Sequence, residues 1–264
     1  MNDQTNRRKR QHIEVIGRDE GVERNGRFFD AIQLQHRAMP EINLHDVDPS
    51  IEIMGKRLSF PLLISSMTGG DDALVGKVNQ HLAEAAQITG VAMGVGSQRV
   101  MLEDTKAQAS FDLRRYAPDA LLFANMGAIQ LNNGMASAQL QQAIDVLAAD
   151  AIFLHLNPLQ EAVQPEGDTN FANLAQAIGH AQTQLNVPVV LKEVGAGLSV
   201  ADIELGLRHG IQWFDVAGRG GTSWARIEQQ RREDAHTLGF TLQDWGIPTP
   251  LAMKNARPYM QQAN

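Results

Sequence analysis

The chain of 264 residues contains no cysteine. That absence excludes disulfide scaffolds, thiolate zinc sites, iron–sulfur clusters and cysteine nucleophiles. Basic charge is also in short supply, since 23 Lys and Arg against 30 Asp and Glu leave a formal net charge of −7. No overall positive field is present to hold nucleic acid or an anionic membrane. The only basic run is Arg7-Arg8-Lys9-Arg10. No apolar window nears the ~20 residues that span a bilayer, and the polar N-terminus lacks the apolar core of a signal peptide. These absences point to a soluble, cytoplasmic protein. Disorder is excluded in turn by a hydrophobic content of 43%.

Six short apolar runs recur at roughly the 30-residue spacing of βα units: Phe60–Ser66, Gly90–Gly96, Ala120–Met126, Ala151–Leu156, Val187–Val194 and Ile211–Ala217. They are continuously apolar, as expected of parallel strands buried on both faces. The segments between them carry helical periodicity, with Leu140, Ile144 and Leu147 on one face and Phe171, Leu174, Ile178, Ala181 and Leu185 on another. Ser199 with Asp202 predicts a helix start, and Gly210 its stop. Residues 1–59 break the rhythm and read as an N-terminal arm of irregular or short β structure, and residues 60–264 read as one α/β unit. The tail from Pro250 reads as a polar helix.

Each predicted strand ends in polar or glycine-rich chemistry, and in a βα barrel those ends form the active site. The run from Gly218 to Ser223 has the glycines and the hydroxyl of a phosphate cradle. The run from Gly94 to Arg99 fails the dinucleotide fingerprint, because Arg99 stands where the last glycine is needed. Lys192 closes an apolar strand, and a buried ammonium needs an anion or an electron-rich partner. It cannot readily use Glu193, whose side chain points to the opposite face. In His155-Leu156-Asn157-Pro158-Leu159-Gln160-Glu161, the imidazole and the Asn157 amide share a face. Glu161 either holds Mg²⁺ against a substrate phosphate or is a solvated loop residue.

The set as a whole resembles the type 2 isopentenyl-diphosphate isomerases. The motifs that carry the likeness are Arg8-Lys9-x-x-His12, Ser66-Met67-Thr68-Gly69-Gly70, Gly96-Ser97-Gln98-Arg99, Asn125-Met126-Gly127, His155-x-Asn157-x-x-Gln160-Glu161, Lys192-Glu193-Val194-Gly195 and the run from Ala217 to Trp224. The resemblance implies a TIM-type (β/α)8 barrel that interconverts isopentenyl and dimethylallyl diphosphates in isoprenoid biosynthesis. It implies reduced FMN as an acid–base cofactor, NADPH as reductant, Mg²⁺, and a homotetramer or homo-octamer. Arg8, Lys9, His12 and Arg99 are then expected at the diphosphate, and Ser97, Gln98 and Asn157 along the substrate site. Gln160 and His155 are expected at the reacting carbons, and Glu161 at the metal. Ser66, Met67, Thr68, Ser97, Asn125, Lys192 and Thr222 are expected on FMN.

Two alternatives remain at this point. One is another FMN barrel of the 2-hydroxy-acid oxidase type, for which Arg219 is available as a carboxylate clamp. The other is a flavin-free, non-catalytic scaffold. A (β/α)8 barrel needs eight units, and only six are legible here. The last two are expected to be missing from this chain, with FMN affinity weakened accordingly.

Overall fold

A computed structural model describes residues 2–24, 26, 28–66 and 73–260. Met67 and Thr68, both expected at the flavin, lie outside the described residues. All six expected strands form one parallel sheet in sequential order. They are β3 (Leu63–Ile64), β4 (Ala92–Gly94), β5 (Leu122–Gly127), β6 (Ala151–Leu156), β7 (Val189–Glu193) and β8 (Trp213–Asp215). Each is followed by helix, giving the βα succession of a TIM-type fold. Among the described residues, β3 and β8 pair on one side only.

The two faces of the sheet divide the labour. Met93, Leu122, Ala124, Ile152, Leu154, Val189 and Leu191 point outward into the main apolar core. There they meet α2 (Ala73–Thr89), α4 (Ser137–Leu147) and α6 (Leu174–Gln182). Ala92, Phe123, Phe153 and Val190 point inward and form a second cluster with Leu58. Phe123 and Phe153 stack there with ring centroids 4.6 Å apart. A hairpin of β1 (Ile51–Ile53) and β2 (Lys56–Leu58) packs on this inner cluster. Its two-residue turn, Met54-Gly55, has both residues at positive φ (51° and 74°), the twist that a tight hairpin requires. Period 2 then puts Asn125, His155 and Lys192 on the inner face, one step beyond the apolar plug.

The arm departs from expectation at its start. Residues Asn2–Arg18 form a 17-residue helix, α1, where irregular or short β structure was expected. Its stripe is too sparse to show as periodicity, because only His12 and Val15 are buried among its described side chains. It is held by docking: Val15, Val22 and Ile227 form a small core, joined by Trp224, against α8 (Trp224–Gln230). Asp19 adds two hydrogen bonds from Arg226, at 2.8 and 3.0 Å. The β expectation holds only for the hairpin.

Downstream, α7 (Val200–Arg208) starts with the expected cap. Ser199 and Asp202 form a reciprocal capping box. The helix α10 (Thr249–Met260) occupies the polar tail.

Candidate active site

Strand register lines up Gly127, His155, Lys192 and Asp215 across four neighbouring strands. Gly127 leaves the space His155 needs, since a Cβ there would lie 3.2 Å from Nε2. His155 Nδ1 is 2.7 Å from Asn125 Oδ1. An amide oxygen only accepts, so Nδ1 carries the hydrogen and Nε2 is left as an acceptor. Burial, with Lys9, Lys192, Arg8 and Arg99 nearby, pushes this imidazole down to about 3. It is neutral at any working pH. Lys192 Nζ pairs with Asp215 Oδ2 at 2.9 Å, which settles its partner in favour of the neighbouring strand over Glu193.

Gly127, Asn125, His155 and Lys192 face a cleft of about 310 Å³ at the carboxyl ends of the strands. Arg8, Lys9, Arg24, Arg99 and Lys192 bring five basic side chains to its walls, against the one carboxylate of Glu161 among the described residues that line it. Such a concentration of positive charge in an acidic chain suits a polyanion. Burial and the charges of Arg8 and Arg99 bring the Lys9 ammonium down to about 7. Ser66, Ser97, Asn125 and Thr222 line the same cleft. Ser66 Oγ, Asn157 Oδ1 and Arg8 Nε are buried without a protein partner, leaving polar atoms for a ligand to satisfy.

The fourth wall is a network around the short helix α5 (Pro158–Val163). Asn157 Nδ2 donates to Glu161 Oε1 at 2.9 Å and to Gln160 Oε1 at 3.1 Å. The Asp168 N–H donates to Glu161 Oε2 at 2.7 Å. Burial nevertheless raises the Glu161 carboxyl above its ordinary value, as befits a group whose compensating cation would be a ligand. Gln160 Nε2 donates to Glu228 Oε1 at 2.7 Å, and His12 Nε2 reaches the same oxygen at 3.1 Å. Glu228 is fully buried. Burial pushes its carboxyl up, but the His12 hydrogen bond, with His12, Arg231 and Gln160 around it, brings it down to about 2. Burial lowers His12, against the pull of Glu228.

Of the expected site residues in the described part, all but one line this cleft. The exception is Gln98, which is wholly buried behind it. Its Oε1 accepts from the Asn125 N–H at 3.0 Å and its Nε2 donates to the Ala143 carbonyl at 2.9 Å. Both ends of the amide are thus used by backbone, so Gln98 acts through Asn125 and not on a ligand. Arg219 also lies off the cleft, its guanidinium 4.6 Å from the Phe28 ring and bonded to the Asp244 carbonyl.

Three residues that the structure joins to the site were not expected from the sequence: Asp215, Glu228 and Arg24. Asp215 had a signal, a lone acid inside an apolar run. Glu228 and Arg24 had none, because their partners are far away in sequence: His12 and Glu228 are 216 positions apart.

Comparison with known proteins decides the family. The isopentenyl-diphosphate delta-isomerase of Hydrogenovibrio crunogenus is 55% identical over 258 residues, covering 97% of this chain and 75% of its own. That of Paracoccus zeaxanthinifaciens is 53% identical over 252 residues, 95% of this chain and 72% of its own. This chain belongs to the isopentenyl-diphosphate delta-isomerases. The Nostoc member is 46% identical over 96% of this chain and 73% of its own. The sequence profile of the FMN-dependent dehydrogenases also matches residues 11–118. A solved mandelate oxidase overlaps at a TM-score of 0.34 and 14% identity, over 84% of this chain and 80% of that one, too loosely to carry an argument.

Proposed function

We propose that this isomerase family member converts isopentenyl diphosphate to dimethylallyl diphosphate in its cleft, with reduced FMN and Mg²⁺ bound. One observation carries the reading: five basic side chains line a cleft whose imidazole is uncharged. Basic side chains hold a diphosphate, and an uncharged imidazole suits an alkene whose carbons gain and lose protons.

The residues fit a flavin with its phosphate. Ser66 offers an unpartnered hydroxyl, and Thr222 stands in the glycine-rich cradle. Bound reduced FMN supplies an electron-rich ring that stabilises positive charge and exchanges a proton. Lys192, anchored by Asp215, would supply the positive charge that favours an anionic reduced flavin. Arg8, Lys9 and Arg99 hold the diphosphate. Net isomerisation adds a proton at C4 and removes one at C2, so no electrons are consumed, and NADPH serves only to reduce the flavin beforehand. Gln160, its amide oriented by Glu228, sits at the reacting carbons. His155 Nε2 accepts a hydrogen bond from the bound ligand while Asn125 fixes the ring. Glu161 would hold Mg²⁺, which would supply positive charge against a substrate phosphate. No group of three or more His, Asp or Glu side chains set to hold a metal occurs among the described residues.

A hydroxy-acid oxidase would need Arg219 in the cleft, and that side chain is engaged elsewhere. No helix among the described residues is long and apolar enough to cross a membrane, and a cytoplasmic location follows the reading of the composition. Assembly into a tetramer or octamer is supported by exposed apolar side chains in the arm, among them Leu34 at 90% and Leu44 at 82%.

The test is incubation with isopentenyl diphosphate, chemically reduced FMN and Mg²⁺, with product followed by proton NMR. Dimethylallyl diphosphate should form, and Gln160→Ala should slow it by about 100-fold. No product, or product from Gln160→Ala at the parent rate, would remove the assignment. Absorbance near 450 nm in the purified chain separates a flavoprotein from a flavin-free scaffold.

A further inference from the structure

Arg24 is buried at 9% exposure, yet among the described residues no carboxylate forms an ion pair with it. Its guanidinium donates to four backbone carbonyls instead. Nε reaches Gly221 at 3.0 Å, Nη1 reaches Trp245 at 3.3 Å, and Nη2 reaches Gly195 at 2.7 Å and Thr222 at 2.8 Å. These carbonyls belong to the loop after β7, the loop after β8 and the segment before α10. The approach is close enough to demand glycine at 195, where φ is +134° and a Cβ would lie 3.2 Å from Arg24 Nη2. The backbone of the arm joins in, with Glu23 bridging to Thr222 and the Arg24 N–H donating to Gly221 at 3.1 Å.

The other side of the β7 loop is held by Glu193. Its Oε2 accepts from the N–H groups of Val194, Gly195 and Gly197 at 2.7, 2.6 and 3.0 Å, and from Ala196 as well. Residues 194–197 are thus gripped at their amides by a carboxylate and at the Gly195 carbonyl by a guanidinium. Both loops line the cleft, and so does Arg24. All of its direct partners are carbonyl dipoles, and Asp244 and Glu193 favour its charge only from a distance, with Arg219 opposing them, so this buried cation is incompletely compensated. A guanidinium has five N–H donors, and the protein takes four.

We infer that Arg24 is a positioning residue that sets the distance between the loops after β7 and β8 around a phosphoryl group, whose charge completes its own compensation. The inference rests on the proposed function, and the phosphoryl group is either that of the flavin or the diphosphate of the substrate.

The test titrates the full chain and its Arg24→Gln and Arg24→Lys variants with FMN, with riboflavin and with inorganic pyrophosphate, alongside thermal melts. Arg24→Gln is expected to cut the preference for FMN over riboflavin, or the affinity for pyrophosphate, by about tenfold or more, the worth of a charge-assisted hydrogen bond. Loss of the FMN preference identifies the flavin phosphate, and loss of pyrophosphate affinity identifies the diphosphate. Arg24→Lys should restore part of the effect through its charge. A lowered melting temperature with both flavins weakened equally, or no change in either quantity, overturns the inference. Parent chain that neither prefers FMN nor binds pyrophosphate defeats the proposed function first and this inference with it. Should Arg24→Gln fail to fold, amide exchange in the parent chain answers the question. Bound pyrophosphate or FMN should slow exchange at Gly195, Gly221 and Thr222, and unchanged exchange there overturns the proposal.

Discussion

Lys9 sits beside Arg8 and Arg99, where burial and like charge leave its ammonium near 7. An anion that binds there restores the charge, so binding takes up a proton around neutral pH. Pyrophosphate affinity should therefore fall as pH rises through 7, because the free ammonium is lost and must be regained in the complex. Calorimetry in buffers of different ionisation heat should show uptake, and Lys9→Met should abolish the part due to this group. Glu228 gives a second prediction. It is joined to His12, Gln160 and Arg231, and Arg231 also pairs with the partly exposed Glu166, so Glu228→Gln leaves Arg231 only that partner. The expected cost is about 2 kcal/mol of stability, read by denaturant unfolding, together with slower turnover as Gln160 loses its orientation. His155, Asn157, Gln160 and Glu161 were legible because they fall within seven residues of one chain segment. Glu228 and Arg24 were not, because tertiary contact alone gives them a role.

At the scale of elements, the strands were legible because burial on both faces leaves a continuous apolar run. The pairing shortened some of them, with Phe60–Ser66 reduced to Leu63–Ile64. The cap of α7 was legible because Ser199 and Asp202 act within four residues. Ser199→Ala should cost about 1 kcal/mol in thermal or denaturant unfolding and leave pyrophosphate affinity unchanged, since Ser199 does not line the cleft. Helix α1 was illegible, because it is stabilised by α8, more than 200 positions away. Ile227 is wholly buried between the two. Ile227→Ala should cost about 3 kcal/mol and also weaken pyrophosphate binding, since α1 carries Arg8, Lys9 and His12 to the cleft. Normal pyrophosphate affinity in that variant would show that α1 does not depend on this contact.

For the whole molecule, charge distribution outweighs total charge. A chain of net charge −7 assembles five basic side chains around one cleft, so pyrophosphate affinity should drop as salt rises from about 50 to 500 mM. Salt-independent binding would argue against the electrostatic reading. The sequence by itself determined the six strands of the parallel sheet, the polar character of their ends and most of the cleft residues. Those features depend on local patterning, which period and spacing express. Only the tertiary structure decided that Lys192 pairs with Asp215, that Gln98 turns away from the cleft and that the arm brings its basic residues onto the site. Those outcomes depend on register and docking between distant segments, where the energy lies in contacts that no local pattern records.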